Sequence, residues 1–211
     1  MIIDEKRKLI FIHIPKTAGT SIRIALKPRL SKLEKKLIKS PIKKDLSSAV
    51  STKTKHETYS EFIENFYSRT GLEKSVLDDF TFFAFVRNPI DRFESLHRYL
   101  IKTHRVIYPN VPEDINTFVE DVIHQKYDYL KKIRSLKTQH SFIENIDNKR
   151  IIIGRYEKLL IDWEKISNQF GISSELEHLN KSSNNEAKGM NEQSKKLISN
   201  YFASDFEHFG Y

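Results

Sequence analysis

The sequence predicts an α/β fold, a central and mainly parallel β-sheet flanked by helices. Three observations predict it. Short apolar runs recur at 9–14 (LIFIHI), 80–86 (FTFFAFV) and 150–154 (RIIIG). They are rich in β-branched or aromatic residues, as strands buried on both faces are. Each is followed by apolar residues at helical spacing, the alternation that builds a parallel sheet. The length of 211 residues, with 38% hydrophobic and 30% charged residues, suits one folded domain covering 1–211 rather than a disordered chain.

Taken in order, the run LIFIHI ends at Pro15, and Ile22, Ala25 and Leu26 then hold helical spacing until Pro28 interrupts. Leu30, Leu33, Leu37 and Ile38 form a second apolar stripe with lysines opposite, and residues 40–55 are a Ser/Thr/Lys-rich loop. Together 27–55 reads as a basic helix and loop insertion. HETYSEFIENFY, 56–67, reads as a helix. After the second strand, Asn88 and Pro89 suit an N-cap and a first helical position, and Phe93, Leu96, His97 and Leu100 share one face. Further helices are expected near 114–134, 157–170 and 190–204, with a polar loop at 180–189. Trp163 keeps helical spacing with Leu159 and Ile166, which points to core packing. His13, within a strand, and His97, on an apolar helix face, read as structural.

Charge is unevenly spread. Residues 27–55 hold ten Lys/Arg against Glu34 and Asp45, which equals the whole formal net charge of +8. Such a field suits an anionic partner, either an acidic glycan, a nucleic acid or a membrane surface; a solvated lysine-rich insertion is the alternative. No apolar run approaches the roughly 18 residues of a membrane-spanning helix, and the N-terminus shows no secretory cleavage pattern. The absence of cysteine excludes disulfides and thiolate metal sites and fits a cytoplasmic protein.

Two stretches carry chemistry. In PKTAGTS, 15–21, the hydroxyls of Thr17, Thr20 and Ser21 follow Lys16 just beyond a buried strand, where helix N-termini bind anions. Backbone amides of 17–21, including that of Ala18, can hold a phosphate, Pro15 stiffens the entry, and Gly19 permits close approach of the backbone. A hydroxyl-capped helix start is the competing reading. In FAFVRNPIDRFESLHRYL, 83–100, Arg87 ends a strand and Ser95 follows eight residues later. Arg87 offers a fork suited to phosphate and Ser95 a second donor; pairing of Arg87 with Asp91 is the competing reading.

These two stretches resemble the nucleotide motifs of sulfotransferases that use 3′-phosphoadenosine-5′-phosphosulfate (PAPS). IPKTAGTS is similar to the 5′-phosphosulfate loop, and FVRNPIDRFESLHRYL to the 3′-phosphate motif with its Arg and later Ser. KHETYSEF (55–62) resembles the K-H-x-T-x-x-E segment of the carbohydrate branch and its short bacterial relatives. IIIGRYEKLLIDWEKI, HLNKS (178–182) and the ending YFASDFEHFGY resemble further parts of those relatives.

The resemblance implies a single P-loop-like domain that transfers a sulfuryl group from PAPS to a carbohydrate hydroxyl, leaving 3′,5′-ADP. It assigns Lys16 to the charge developing on the leaving phosphate and Thr17, Ala18, Gly19, Thr20 and Ser21 to the 5′-phosphate. Arg87 and Ser95 would bind the 3′-phosphate, with Tyr156 and Lys181 completing the nucleotide pocket. His56 is the expected general base, with Glu57 and Glu61 as alternatives. No metal is implied. The acceptor is expected to be a saccharide, acidic if the lysines of 27–55 steer it, and the same segment offers a peripheral membrane contact. A P-loop phosphotransferase is the rival enzyme, yet no G-x-x-x-x-G-K-S/T signature is present. A basic nucleic-acid-binding module is the rival binder, yet no recognition motif appears, so no nucleic-acid partner is expected.

Overall fold

The computed structural model describes residues 1–26, 56–104, 106–176 and 189–211. The basic 27–55 segment, the stripe Leu30–Ile38, Lys181 and most of the 180–189 loop lie outside the described residues. The chain forms two compact units, one of Met1–Val86 with Ser141–Leu179 and one of Arg87–His140 with Asn180–Tyr211.

The first unit is the α/β body. Its strands β1 (Ile2–Asp4), β2 (Leu9–Ile12), β3 (Thr81–Val86) and β4 (Ile151–Arg155) form one sheet in that order. β2, β3 and β4 run parallel, in registers that pair Phe11 with Phe83 and Ala84 with Ile153. β1, which the sequence pattern did not single out, pairs antiparallel with β2. Asp4 closes that turn by accepting from the Arg7 amide at 3.1 Å and pairing with its guanidinium at 2.7 Å.

Helices cover both faces of the sheet, as a parallel sheet requires. Helix α1 (Gly19–Leu26) and helix α6 (Leu159–Gln169) bury Ile22, Leu159, Trp163 and Ile166 against Phe11, Phe83 and Phe85. Trp163 is fully buried, its ring 6.4 Å from that of Phe83. On the other face, Tyr59 of helix α2 (Tyr59–Thr70) stands edge-on to Phe82 at 5.3 Å. Gly154 lies against the Phe85 ring so closely that a Cβ there would fall 2.5 Å from it.

The second unit is helical. Helix α3 (Pro89–Thr103) starts as expected, the Asn88 side chain accepting from the amides of Ile90 and Asp91 at 3.0 and 3.4 Å. Its Phe93, Leu96 and Leu100 pack with Phe118 and Val119 of α4 (Ile115–Ile123), Ile198 of α7 (Glu192–Tyr201), and Phe202, which leads into α8 (Ala203–Phe209). The short α5 (His140–Ile143) lies where the chain returns to the first unit.

Two expected helices are interrupted. The one near 114–134 ends at Ile123, and Gln125 adopts a left-handed φ of 47° before two 3₁₀ turns carry the chain on. The one near 190–204 breaks at Phe202, whose φ of −105° and ψ of 27° are not helical. The helix expected at 56–67 begins later, at Tyr59, and runs to Thr70, where Gly71 at φ 67° stops it. The first and third strands also shift: β2 stops at Ile12, and Arg150 belongs to a turn whose guanidinium donates to the Leu77 carbonyl.

His97 is buried as its helix face foretold, its ring stacked 5.2 Å from Phe118 and its Nε2–H donating to the Pro112 carbonyl at 2.8 Å. Burial pushes this imidazole below its ordinary value of 6.5, more than the Pro112 bond raises it. A base depressed on folding leaves stability complete above its unfolded value and loses it as pH falls toward the folded one. Between about pH 7 and about pH 5 the urea midpoint should therefore fall less in His97→Gln, which keeps a donor without titrating, than in wild type. Parallel decline of both proteins would contradict the assignment.

Candidate functional site

β2, β3 and β4 end at one edge of the sheet, since Ile12 pairs with Ala84 and Val86 with Arg155. The segment PKTAGTS leaves β2 at that edge and enters α1. Lys16 and Ala18 have φ of 70° and 68°, the left-handed region, on either side of Thr17, which does not. Non-glycine residues rarely adopt it, and alternation of this kind turns successive amide N–H groups toward one concavity, an anion nest. The first helical bond is Ile22 N–H to the Ala18 carbonyl at 3.2 Å. The amides of Gly19, Thr20 and Ser21 precede it, and first-turn amides have no helical acceptor. An anion held there also meets the positive end of the helix dipole.

The loop side chains divide by task. Thr17 is fully buried, and its hydroxyl donates to the Ile14 carbonyl at 2.9 Å, bracing the turn from inside. What Thr17 turns toward an anion is thus its main chain. Ser21 is buried, Lys16 and Ala18 are half-buried, and Thr20 is exposed. Gly19 does provide close approach, but to a side chain of the same unit: a Cβ at 19 would fall 1.8 Å from Nε2 of His13.

His13 in turn brings His56 to the loop. The rings stand 4.4 Å apart at 61°, and His56 Nδ1 lies 3.0 Å from the His13 carbonyl oxygen. A carbonyl only accepts, so Nδ1 carries the proton and the neutral ring keeps its lone pair on Nε2. β2 ends at Ile12, whose carbonyl accepts from the Ile14 amide at 3.1 Å, and the next carbonyl, that of His13, meets the His56 ring.

His56 is placed by the helix that follows. Thr58 accepts from the Glu61 amide at 3.2 Å, and the Glu61 carboxylate accepts from the Thr58 amide at 2.9 Å. This is a capping box, in which each side chain satisfies an otherwise orphaned amide. The Thr and Glu of the K-H-x-T-x-x-E segment therefore start α2 and fix the residue two positions ahead of the cap. Glu61, named from sequence as an alternative base, has this structural task. Glu57 is buried. Tyr156 opens a 3₁₀ turn just after β4, half-buried, behind an Arg155 amide that donates to Asp162 at 2.8 Å.

The structure therefore brings together residues 16–21 and His56 in the first unit, which also carries Tyr156. Arg87, the next residue after β3, and Ser95, half-exposed on α3, belong to the second unit. There the Arg87 main chain is held by a residue the sequence reading missed. Its N–H donates to Gln139 Oε1 at 2.9 Å, and Gln139 Nε2 donates to its carbonyl at 2.8 Å. Asp205, also missed, accepts from the amides of Gln139 and His140 at 2.8 and 2.9 Å. No local pattern marks either residue; their partners lie 52 to 66 positions away in the chain. Among the described residues, no three His, Asp or Glu side chains are grouped to hold a metal, and no helix is long and apolar enough to cross a membrane.

A family model described as the sulfotransferase family matches residues 1–211. No curated protein and no solved structure matches the chain.

The capping box makes a prediction about stability. Thr58→Ala should lose about 1 kcal/mol in urea unfolding, whereas Glu61→Gln should hold its stability, because glutamine serves the same position. A larger loss in Glu61→Gln than in Thr58→Ala would contradict this division.

Proposed function

The chain belongs to the sulfotransferase family, and from that premise we propose that it transfers the sulfuryl group of PAPS to a hydroxyl of a carbohydrate acceptor. The observation that carries the reading is the left-handed pair Lys16 and Ala18 flanking Thr17 where β2 meets α1. A nest of amides at a helix start, with a lysine on its lip, fits the doubly charged end of a phosphosulfate.

PAPS supplies an activated sulfur whose bond to the phosphate oxygen breaks as a new bond to the acceptor oxygen forms. Lys16 neutralises the charge gathering on the phosphate oxygen as that bond opens, an electrostatic task. The main chain of 17–21 and the hydroxyls of Thr20 and Ser21 hold the 5′-phosphate. Arg87 and Ser95 take the 3′-phosphate, and Tyr156 and Lys181 complete the nucleotide contacts. His56 takes the acceptor's proton on Nε2, while its Nδ1–H stays on the His13 carbonyl. That bond supports His56 over the carboxylates: it fixes the tautomer, while Glu61 is engaged in its cap.

A carbohydrate acceptor is supported by the resemblance of 55–62 to the carbohydrate branch. An acidic sugar would suit the ten Lys/Arg of 27–55. A cytoplasmic location fits the lack of cysteine, with membrane contact through that segment as a further proposal.

Two experiments test the reading. In calorimetry, wild type should bind 3′,5′-ADP and Arg87→Ala should bind it at least about tenfold more weakly, the loss expected for a charge-assisted fork. No binding to wild type would remove the nucleotide assignment. In turnover assays with labelled PAPS and a panel of sugar acceptors, His56→Ala should fall about 100-fold or more, while Glu61→Gln stays within about twofold of wild type. The opposite ranking would move the base to Glu61.

A further inference from the structure

Resting on the nucleotide reading, we propose that Gln139 is a positioning residue for the 3′-phosphate grip, setting the main chain from which the Arg87 guanidinium reaches. Gln139 is fully buried, and its amide engages both polar groups of one peptide residue, accepting from Arg87 N–H and donating to Arg87 C=O. That is the pattern one strand residue makes with another, supplied here by a side chain at the residue following β3. Only a carboxamide does this; a carboxylate lacks the donor, and an apolar side chain lacks both groups.

Gln139 is itself held. Its amide N–H donates to Asp205 Oδ2 at 2.8 Å, its Nε2 lies 3.4 Å from the same oxygen, and the His140 amide donates to Oδ1 at 2.9 Å. Asp205 is fully buried, with Nη2 of Arg92 at 3.9 Å. Arg92 donates to the carbonyls of Ser135 and Lys137 at 3.1 and 2.7 Å, so the segment leading into Gln139 is fixed from the same centre. Burial pushes the Arg92 guanidinium down to about 10, against the pull of Asp205, so the guanidinium stays charged at neutral pH at a desolvation cost. The carboxylate serves amides of the 139–140 turn more closely than it serves the arginine. Its geometry is that of a bracket for this turn.

The consequence concerns selectivity. A long side chain multiplies any tilt of its own peptide plane, and a bidentate grip on phosphate tolerates little tilt. Gln139 touches no part of the nucleotide; it acts through Arg87. Its loss should weaken recognition of the 3′-phosphate and leave the rest of the nucleotide alone.

The test compares 3′,5′-ADP with 5′-AMP, which lacks that phosphate, by calorimetry on the full chain. Wild type should prefer 3′,5′-ADP, and Gln139→Met, similar in size without the amide, should lose about tenfold or more of that preference at unchanged affinity for 5′-AMP. Hydrogen exchange at the Arg87 amide should rise in the same variant. If Gln139→Met does not fold, Gln139→Asn, with the same amide one methylene shorter, should show the same loss of preference. A variant that keeps the wild-type preference overturns the proposal, as does an equal loss for both nucleotides, which would mark Gln139 as a support of the fold alone. Failure of the underlying reading is seen separately: wild type itself would then show no preference, and the phosphate role of Gln139 would fall with it.

Discussion

The ring of His13 fills the space that any side chain at position 19 would need, and its carbonyl is the acceptor that holds His56. Much of the first unit's chemistry depends on that one residue. The stack of His13 on Phe11, 5.6 Å between ring centres, ties it to the sheet core. Its ring sets how the chain turns from β2 into α1, because only glycine lets that backbone pass so near. Its main chain sets which nitrogen of His56 is basic. A histidine read from the pattern as a structural strand residue thus shapes both the turn into α1 and the placing of His56 beside it.

The sequence made the body of the fold legible for a simple reason. LIFIHI and FTFFAFV are apolar on successive residues and form strands buried on both faces, RIIIG forms a strand that is only half-buried, and Asn88–Pro89 is a local start signal. Breaks were harder to read. Gln125 and Phe202 end helices through backbone geometry while the apolar spacing runs on past them. β1 was missed because three residues, Ile2–Asp4, are too few to show alternation.

The candidate site divides in the same way. The loop residues and His56 were legible because they are contiguous or belong to a short motif. Glu61 was legible too, since a Thr followed three residues later by Glu is a helix-start signature. Gln139 and Asp205 were illegible: their importance lies in partners brought near only by the packed helical unit. Arg92 belongs with them. An arginine amid Asp91, Phe93 and Glu94 looks like surface, yet it is nearly inaccessible and stacks 4.9 Å over the Phe202 ring.

The two left-handed residues of the loop carry a last consequence. A non-glycine residue held in that region costs of order 1–3 kcal/mol. The chain sustains two of them within three positions, Lys16 and Ala18, with Thr17 bracing the turn through Ile14 and the Ala18 methyl packed against the core. The turn is therefore braced by contacts within the protein itself. A turn braced in this way costs a ligand less ordering than a loose one, and preorganisation of that kind favours affinity. The same rigidity makes the loop a poor place to accept substitutions, since glycine at 16 or 18 would relieve the strain and return the disorder.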